Sequence, residues 1–371
     1  VPACSDWTPA AVLPNLTADK AVEGDVIALA PCHDPRVVAF GTAHPKFQTF
    51  ISRFTDAFHV PLRPVVLIVR DDLLPKLAHT EPLASFRDLV AMCVVPQGRA
   101  LATLYPNGGH RLSYANTFWL YPWTLGTDKE YLVASTPALN GLHLVDQFYG
   151  QSSPEVPVKD LAHIDEPLFD SLIVCWRRHY LGKRPRWRDR ALFRSLNMAT
   201  NAAQLPAGID TTLYDLGRTV ALWVSAFETL AHPRKGNSGL RTVYPLLEAV
   251  SYQNTKVGRR GYVAYMTFKK PWPRRCLPCW LYGKLYQARC DFLHGNPVSP
   301  KTLNPSNLEQ SLFWFAPCLY RMALTGFLKL TFNRKPPRIS DAQKMGAYAS
   351  QHARFWQFQR TIERALLKSR K

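Results

Sequence analysis

Leu281-Tyr282-Gly283-Lys284-Leu285-Tyr286-Gln287-Ala288-Arg289-Cys290-Asp291-Phe292-Leu293-His294-Gly295-Asn296 is the stretch on which the reading of this chain turns. It reads as the end of a helix over 280–293, because Gly295 can take the left-handed conformation that closes a helix and Pro297 follows it. Arg289 and His294 are five residues apart, and five residues of ideal helix turn two side chains about 140° from each other. A helix that stops at His294 frees its ring to lean away from that geometry. The residue types suit phosphate chemistry: a histidine can give or take a proton near neutral pH, and an arginine can fork two donors onto phosphate oxygens. A plainer role is open to both, with Arg289 in an ordinary salt bridge and His294 as a cation at a helix C-terminus.

Outward from this stretch the pattern stays helical. Leu216, Val220, Trp223, Val224, Phe227 and Leu230 fall three and four apart, an amphipathic stripe that His232-Pro233 brings to an end. The spacing predicts helices over 166–181, 188–203, 213–231, 240–251, 280–293, 308–331 and 340–368. The most apolar run, 312–328, contains Pro317 and Arg321, so it reads as a core helix, and no membrane span is expected.

The chain of 371 residues suits two domains in series. Its first part is proline-rich with short apolar runs. The run 64–70 reads as a buried strand ending at Asp71-Asp72, and 118–121 and 131–134 flank a Gly126-Thr127-Asp128 turn as a hairpin. The expected fold class is therefore α+β: an α+β or β-rich domain over 1–150, a linker over 151–165, and an all-α helical domain over 166–371 with a basic C-terminal helix. Residues 151–157 have the polar, proline-stiffened composition of a linker.

Charge divides the chain at nearly the same place. Residues 1–170 hold 12 Lys+Arg against 18 Asp+Glu, a net of −6, and residues 171–371 hold 34 against 9, a net of +25. The second half is the one that suits a polyanion. Eight scattered cysteines and the lack of an apolar leader point to reduced thiols and a cytoplasmic location.

Taken together, the two central helices resemble the HEPN superfamily. The closer likeness is to its Apea-like branch, in which a helix of the type Leu222-Trp223-Val224-Ser225-Ala226-Phe227-Glu228-Thr229-Leu230 precedes a tyrosine-rich helix ending in Arg-x4-His-Gly. The resemblance covers residues 185–330, roughly, and leaves the N-terminal half unread. It implies a helical bundle acting as a metal-independent endoribonuclease, without cofactor, in prokaryotic antiviral or toxin-like defence. It also implies a homodimer whose composite site takes Arg289 and His294 from each protomer. Glu228 is the candidate to orient either residue, with Cys290, Asp291 and Asn296 supporting; Cys290 departs from the polar residue, often asparagine, that the family places after the arginine. The alternative is a HEPN-like module that binds RNA or protein without cutting.

Other features stay open. Cys276, Cys279, Cys290 and His294 form a Cys-x2-Cys-x10-Cys-x3-His series that could hold zinc, against small apolar packing for the first two. Two basic clusters interleave with aromatics: Lys183, Arg184, Arg186 and Arg188 around Trp187, and Arg259, Arg260, Lys269, Lys270, Arg274 and Arg275 around Tyr262, Tyr265, Phe268 and Trp272. They suit phosphates and stacked bases, or equally a solvated surface over core rings. Asp71 and Asp72 could hold a divalent ion or start a helical turn. The N-terminal half is expected to sense or bind an activating ligand or protein.

Overall fold

The apolar run Val65-Val66-Leu67-Ile68-Val69 forms the strand its composition predicts, with all five side chains buried. A run with no polar alternation has no face to give to water, so it belongs at the centre of a sheet covered on both sides. The computed structural model describes residues 6–108, 114–152, 158–159, 161, 164–204, 210–267, 270–332 and 334–370. The chain divides into one unit of residues 1–88 and 115–163 and a second of 89–114 and 164–371.

The first part of the chain holds β1 (Trp7–Leu13), β2 (Leu16–Thr17), β3 (Val22–Glu23), β4 (Ile27–Pro31), α1 (Pro35–Ala43), α2 (Pro45–Ser52), β5 (Phe54–Thr55) and β6 (Val65–Arg70). After them come α3 (Leu74–Leu77), α4 (Thr80–Leu104), β7 (Thr124–Leu125), β8 (Tyr131–Ser135), β9 (Asn140–Leu144), β10 (Gln151–Ser152) and β11 (Val158–Lys159). An antiparallel sheet runs β1-β6-β4-β3. Pro9 sits in the edge strand β1, where the register shifts between Pro9 and Ala11, a place where a residue without an N–H does least harm. One core of this unit gathers Trp7, Val66 and Ile68 with Phe47, Phe50 and Phe54 from α2 and β5.

Three expectations for this half need correction. The hairpin around Gly126 exists, but its first strand is β7; residues 115–118 are a 3-10 turn whose Phe118 is fully buried. The interval 151–165 is not a free linker: β10 pairs with β5, β11 pairs with β2, and Asp165 caps the next helix, because extended backbone finds its hydrogen bonds in neighbouring strands. Residues 153–157, 160, 162 and 163 of that interval lie outside the described residues. Finally, the first half contains a 25-residue helix, α4, and the division between units falls inside it, between Asp88 and Leu89. Residues 89–100 are buried on every side, so they show no amphipathic period, and Pro96 reads in sequence as a breaker. Asp71 and Asp72 open a 3-10 turn, with Asp71 accepting from Thr8 at 2.7 Å and Asp72 from Arg70.

The helical unit continues with α5 (Glu166–Tyr180), α6 (Trp187–Ala202), α7 (Leu213–Leu230), α8 (Leu240–Glu248), α9 (Thr255–Gly258) and the ribbon β12 (Tyr262–Val263) with β13 (Arg274–Arg275). It ends with α10 (Leu277–Leu293), α11 (Pro300–Leu303), α12 (Leu312–Leu328) and α13 (Ala342–Lys368). The overall class is α+β, a sheet-bearing N-terminal part followed by helices. Thr212 and Asp215 form a capping box that starts α7, and its stripe Val220, Trp223, Val224, Phe227 and Leu230 is buried against α6, α10 and α12. No helix among the described residues is long and apolar enough to cross a membrane. In α12, Arg321 is 1% exposed and pairs with Asp165 at 2.8 Å, while also donating to Gln359 of α13. A buried charge needs such partners.

Helices α8 and α12 approach so closely that a Cβ on Gly326 would fall inside the Leu246 carbonyl oxygen, whereas Gly346 of α13 has nothing within 4 Å. We expect Gly326→Ala to destabilise the protein by about 1–3 kcal/mol or more, because a backbone carbonyl cannot rotate aside. Gly346→Ala is expected to stabilise it by about 0.4–1 kcal/mol. Urea unfolding of the two variants checks the opposite signs.

Candidate active site

Helix α10 presents Tyr282, Tyr286 and Arg289 along one face, at spacings of four and three. Tyr282 packs on Phe227 of α7 with ring centroids 5.0 Å apart, and Tyr282 and Tyr286 follow each other at 6.4 Å. The Arg289 guanidinium lies over the Tyr286 ring, 5.9 Å from its centroid. Near the end of α10, a Cβ on Gly217 of α7 would collide with the Phe292 ring, so the two helices meet closely there. Glu228 lies in the last turn of α7, and its charge reaches the same tyrosines.

These groups act on one another electrically. Burial pushes the Glu228 carboxyl above its ordinary value, and the Arg289 charge opposes the rise without cancelling it. Burial also raises the phenols of Tyr282 and Tyr286, with the Glu228 charge acting in the same direction. The Cys290 thiol is likewise raised by burial, against the Arg289 charge. Arg289 itself is half-buried, and its Nε has no hydrogen-bond partner among the described residues. An orphaned N–H on a permanent cation is a donor that suits an anionic acceptor.

The helix closes as the glycine predicts. His294 is the C-cap, its N–H donating to the Cys290 carbonyl at 3.0 Å; Gly295 has φ +71°, and the Asn296 N–H reaches the Asp291 carbonyl at 3.2 Å. That bond pattern is a Schellman closure. The Asn296 side chain adds a bond to the Asp291 carboxylate at 3.0 Å, so these two residues build the turn that carries His294. His294 is exposed, and among the described residues no hydrogen bond joins its ring to Arg289 or Glu228. Arg289 and Glu228 act on each other through charge, without a salt bridge among the described residues, and His294 closes the helix.

The zinc series does not assemble. Cys276 caps the start of α10 and Cys279 sits in its first turn, while Cys290 and His294 are at its far end. The 11 residues from Cys279 to Cys290 span about 16 Å of continuous helix, too far for one ion.

The basic clusters divide between structure and surface. Arg188 donates to the Phe327 carbonyl and stacks on its ring at 4.3 Å; Arg275 and Arg260 pair with Glu248 at 2.9 and 3.4 Å; Arg274 donates to the Gly261 carbonyl at 3.2 Å. Lys183, Arg184, Arg186, Arg259 and Lys270 are exposed, and Lys269 and Phe268 lie outside the described residues. Trp187, Tyr265 and Trp272 are half-buried and Tyr262 is buried, so these rings are tucked against the fold rather than displayed as stacking platforms. Sequence reasoning passed over Tyr282 and Tyr286 as individual site residues, although their spacing ahead of Arg289 was the available signal. Comparison with family models, curated proteins and solved structures finds no match to this chain.

The raised Glu228 carboxyl carries a pH signature. A group that holds its proton more tightly in the folded state contributes stability in acid that is lost as pH rises through its ordinary and then its raised value. Glu228→Gln, which cannot ionise, is therefore expected to match wild type near pH 4, approximately, and to become progressively more stable than it toward pH 8, approximately. Urea titrations across that range test this; a gap that widens toward acid would contradict the assignment.

Proposed function

We propose that the helical unit is a metal-independent endoribonuclease of HEPN type, working on RNA as a homodimer, with a place in prokaryotic antiviral or toxin-like defence. The observation that carries the reading is the presence, toward one end of α10, of a half-buried Arg289 with an unpartnered Nε and of an exposed His294 held on a glycine-closed helix end. Both lie in the half of the chain that bears a net charge of +25, from 34 Lys+Arg against 9 Asp+Glu.

The chemistry follows from those two groups. The RNA 2′-oxygen attacks the adjacent phosphorus, the bond to the 5′-oxygen breaks, and the products are a 2′,3′-cyclic phosphate and a 5′-hydroxyl. One proton leaves the 2′-hydroxyl and one reaches the departing oxygen, so a histidine from each protomer can serve as base and acid. Arg289 meets the negative charge that grows on the non-bridging oxygens, and the low-dielectric wall of tyrosines strengthens that interaction. Glu228, whose carboxyl feels the Arg289 charge, is assigned to orient the guanidinium. Exposed Lys183, Arg184, Arg186, Arg259 and Lys270 supply sequence-independent phosphate contacts.

A second reading is binding without cleavage, favoured by the absence, among the described residues, of a hydrogen bond between His294 and Arg289 within one protomer. The two readings divide on single residues. With labelled RNA in EDTA, Arg289→Ala and His294→Ala are each expected to slow cleavage about 100-fold or more while leaving affinity within a few-fold. Arg184→Ala or Lys270→Ala is expected to weaken binding and to lower its salt slope by about one. RNA bound but left intact by the folded wild-type dimer would leave the binding module standing alone, and cleavage unchanged in His294→Ala would contradict the assignment of this site.

A further inference from the structure

The start of α10 holds a second cluster that the nuclease reading does not use. Cys276 and Cys279 are buried, at 2% and 0% exposure, and their sulfurs are 3.4 Å apart. A carboxylate oxygen of Glu248, the last residue of α8, lies with both sulfurs inside a span of 4.8 Å. Glu248 Oε2 accepts from Arg275 at 2.9 Å and from the exposed Arg260 at 3.4 Å, whereas the buried Oε1 has no hydrogen-bond partner among the described residues. Cys279 Sγ donates weakly to the Tyr244 carbonyl at 3.6 Å.

We propose that Cys276, Cys279 and Glu248 bind a thiophilic divalent cation, Zn2+ in the cell, that clamps α8 and β13 to the start of α10. Tetrahedral zinc with sulfurs at about 2.3 Å sets them about 3.7 Å from each other, so the observed pair needs to open by only a few tenths of an ångström. The orphaned Oε1 supplies a third ligand, and water takes the fourth position, as at sites with three protein ligands. Binding releases both thiol protons and breaks the weak bond from Cys279 to Tyr244. Two thiolates and one carboxylate set against the Arg275 guanidinium leave two negative charges, and a divalent ion cancels them. Arg275 is then the outer partner that orients the Glu248 carboxylate.

A dithiol redox role is the competing use of a Cys-x2-Cys pair, and burial argues against it, because disulfide exchange needs a partner's sulfur to reach one of these two. The cluster also stands apart from the nuclease reading: Cys279 and Arg289 are separated by about 15 Å of helix, so the ion would take no part in cleavage.

The test is titration of the full chain, stripped of metal and kept reduced, with Co2+. A single ion is expected to bind, with a near-ultraviolet thiolate-to-cobalt charge-transfer band that Zn2+ displaces. Cys276→Ser should abolish the band. Glu248→Gln keeps the shape of the side chain and should weaken Co2+ about ten-fold or more; it carries the test if circular dichroism shows that the serine variant fails to fold. Lack of a charge-transfer band in folded wild type overturns the proposal. So does equal affinity in wild type and Glu248→Gln, or a freshly purified chain lighter by two hydrogens with Cys276 and Cys279 joined. RNA cleavage is not the readout, so failure here leaves the nuclease reading untouched.

Discussion

An α-helix advances about 1.5 Å per residue, so the 17 unbroken residues of α10 hold its two ends about 25 Å apart and the two sites toward those ends at least about 15 Å apart. Nothing in the middle can relax that distance. Pro278 sits in the first turn, where its missing N–H has no partner to lose, and Gly283 lies under Tyr244, whose hydroxyl comes within 2.9 Å of where a Cβ would be. The helix consequently behaves as a rigid strut. Its first turn gathers sulfur ligands, its last turn presents Arg289 and His294, and the tyrosines between them pack against α7.

The strut holds its direction because α7 is anchored on its other faces. Phe227 meets Tyr282 and Tyr320, and Ser195 of α6 donates to the Ala226 carbonyl at 2.7 Å and bonds the Tyr320 hydroxyl at 2.6 Å. Arg321, one residue beyond Tyr320, ties α12 to Asp165 and Gln359. Removing one partner of such a buried pair costs about 3–5 kcal/mol, since the remaining charge has no water to turn to. Polar groups in this core thus fix which helix faces which, while the rings supply the burial. The Glu228 carboxyl sits at the edge of that apolar block, which is why burial outweighs its attraction to Arg289.

Where one helix face was apolar and the other polar, the sequence was readable. The α7 stripe and its stop at His232-Pro233 were visible, and so was the closure of α10 at Gly295, because each rests on local rules of spacing and capping. Helix α4 was hidden by its own burial: with 89–100 enclosed on all sides, no polar face marks the period. Pairing of β10 and β11 with strands about a hundred residues or more upstream leaves no local trace, and a proline-rich polar stretch there reads as a linker. The same limit applies to the sulfur cluster. Spacing alone grouped Cys276 and Cys279 with Cys290 and His294; the ligand that meets them in space is Glu248, which no motif connects to them. Charge counting found the basic half but could not tell Arg188 and Arg275, which brace the fold, from Arg184 and Lys270, which face solvent.

The claim that Arg289 and His294 cut RNA by internal attack is tested most directly by the chemistry of the ends. An RNA cleaved at a mapped position would be compared with the same RNA carrying a single 2′-deoxy nucleotide there, and the products identified by mass spectrometry. The account predicts a 2′,3′-cyclic phosphate and a 5′-hydroxyl from the first and no cleavage at that position in the second. A 3′-hydroxyl with a 5′-phosphate, or undiminished cutting of the 2′-deoxy strand, would contradict it.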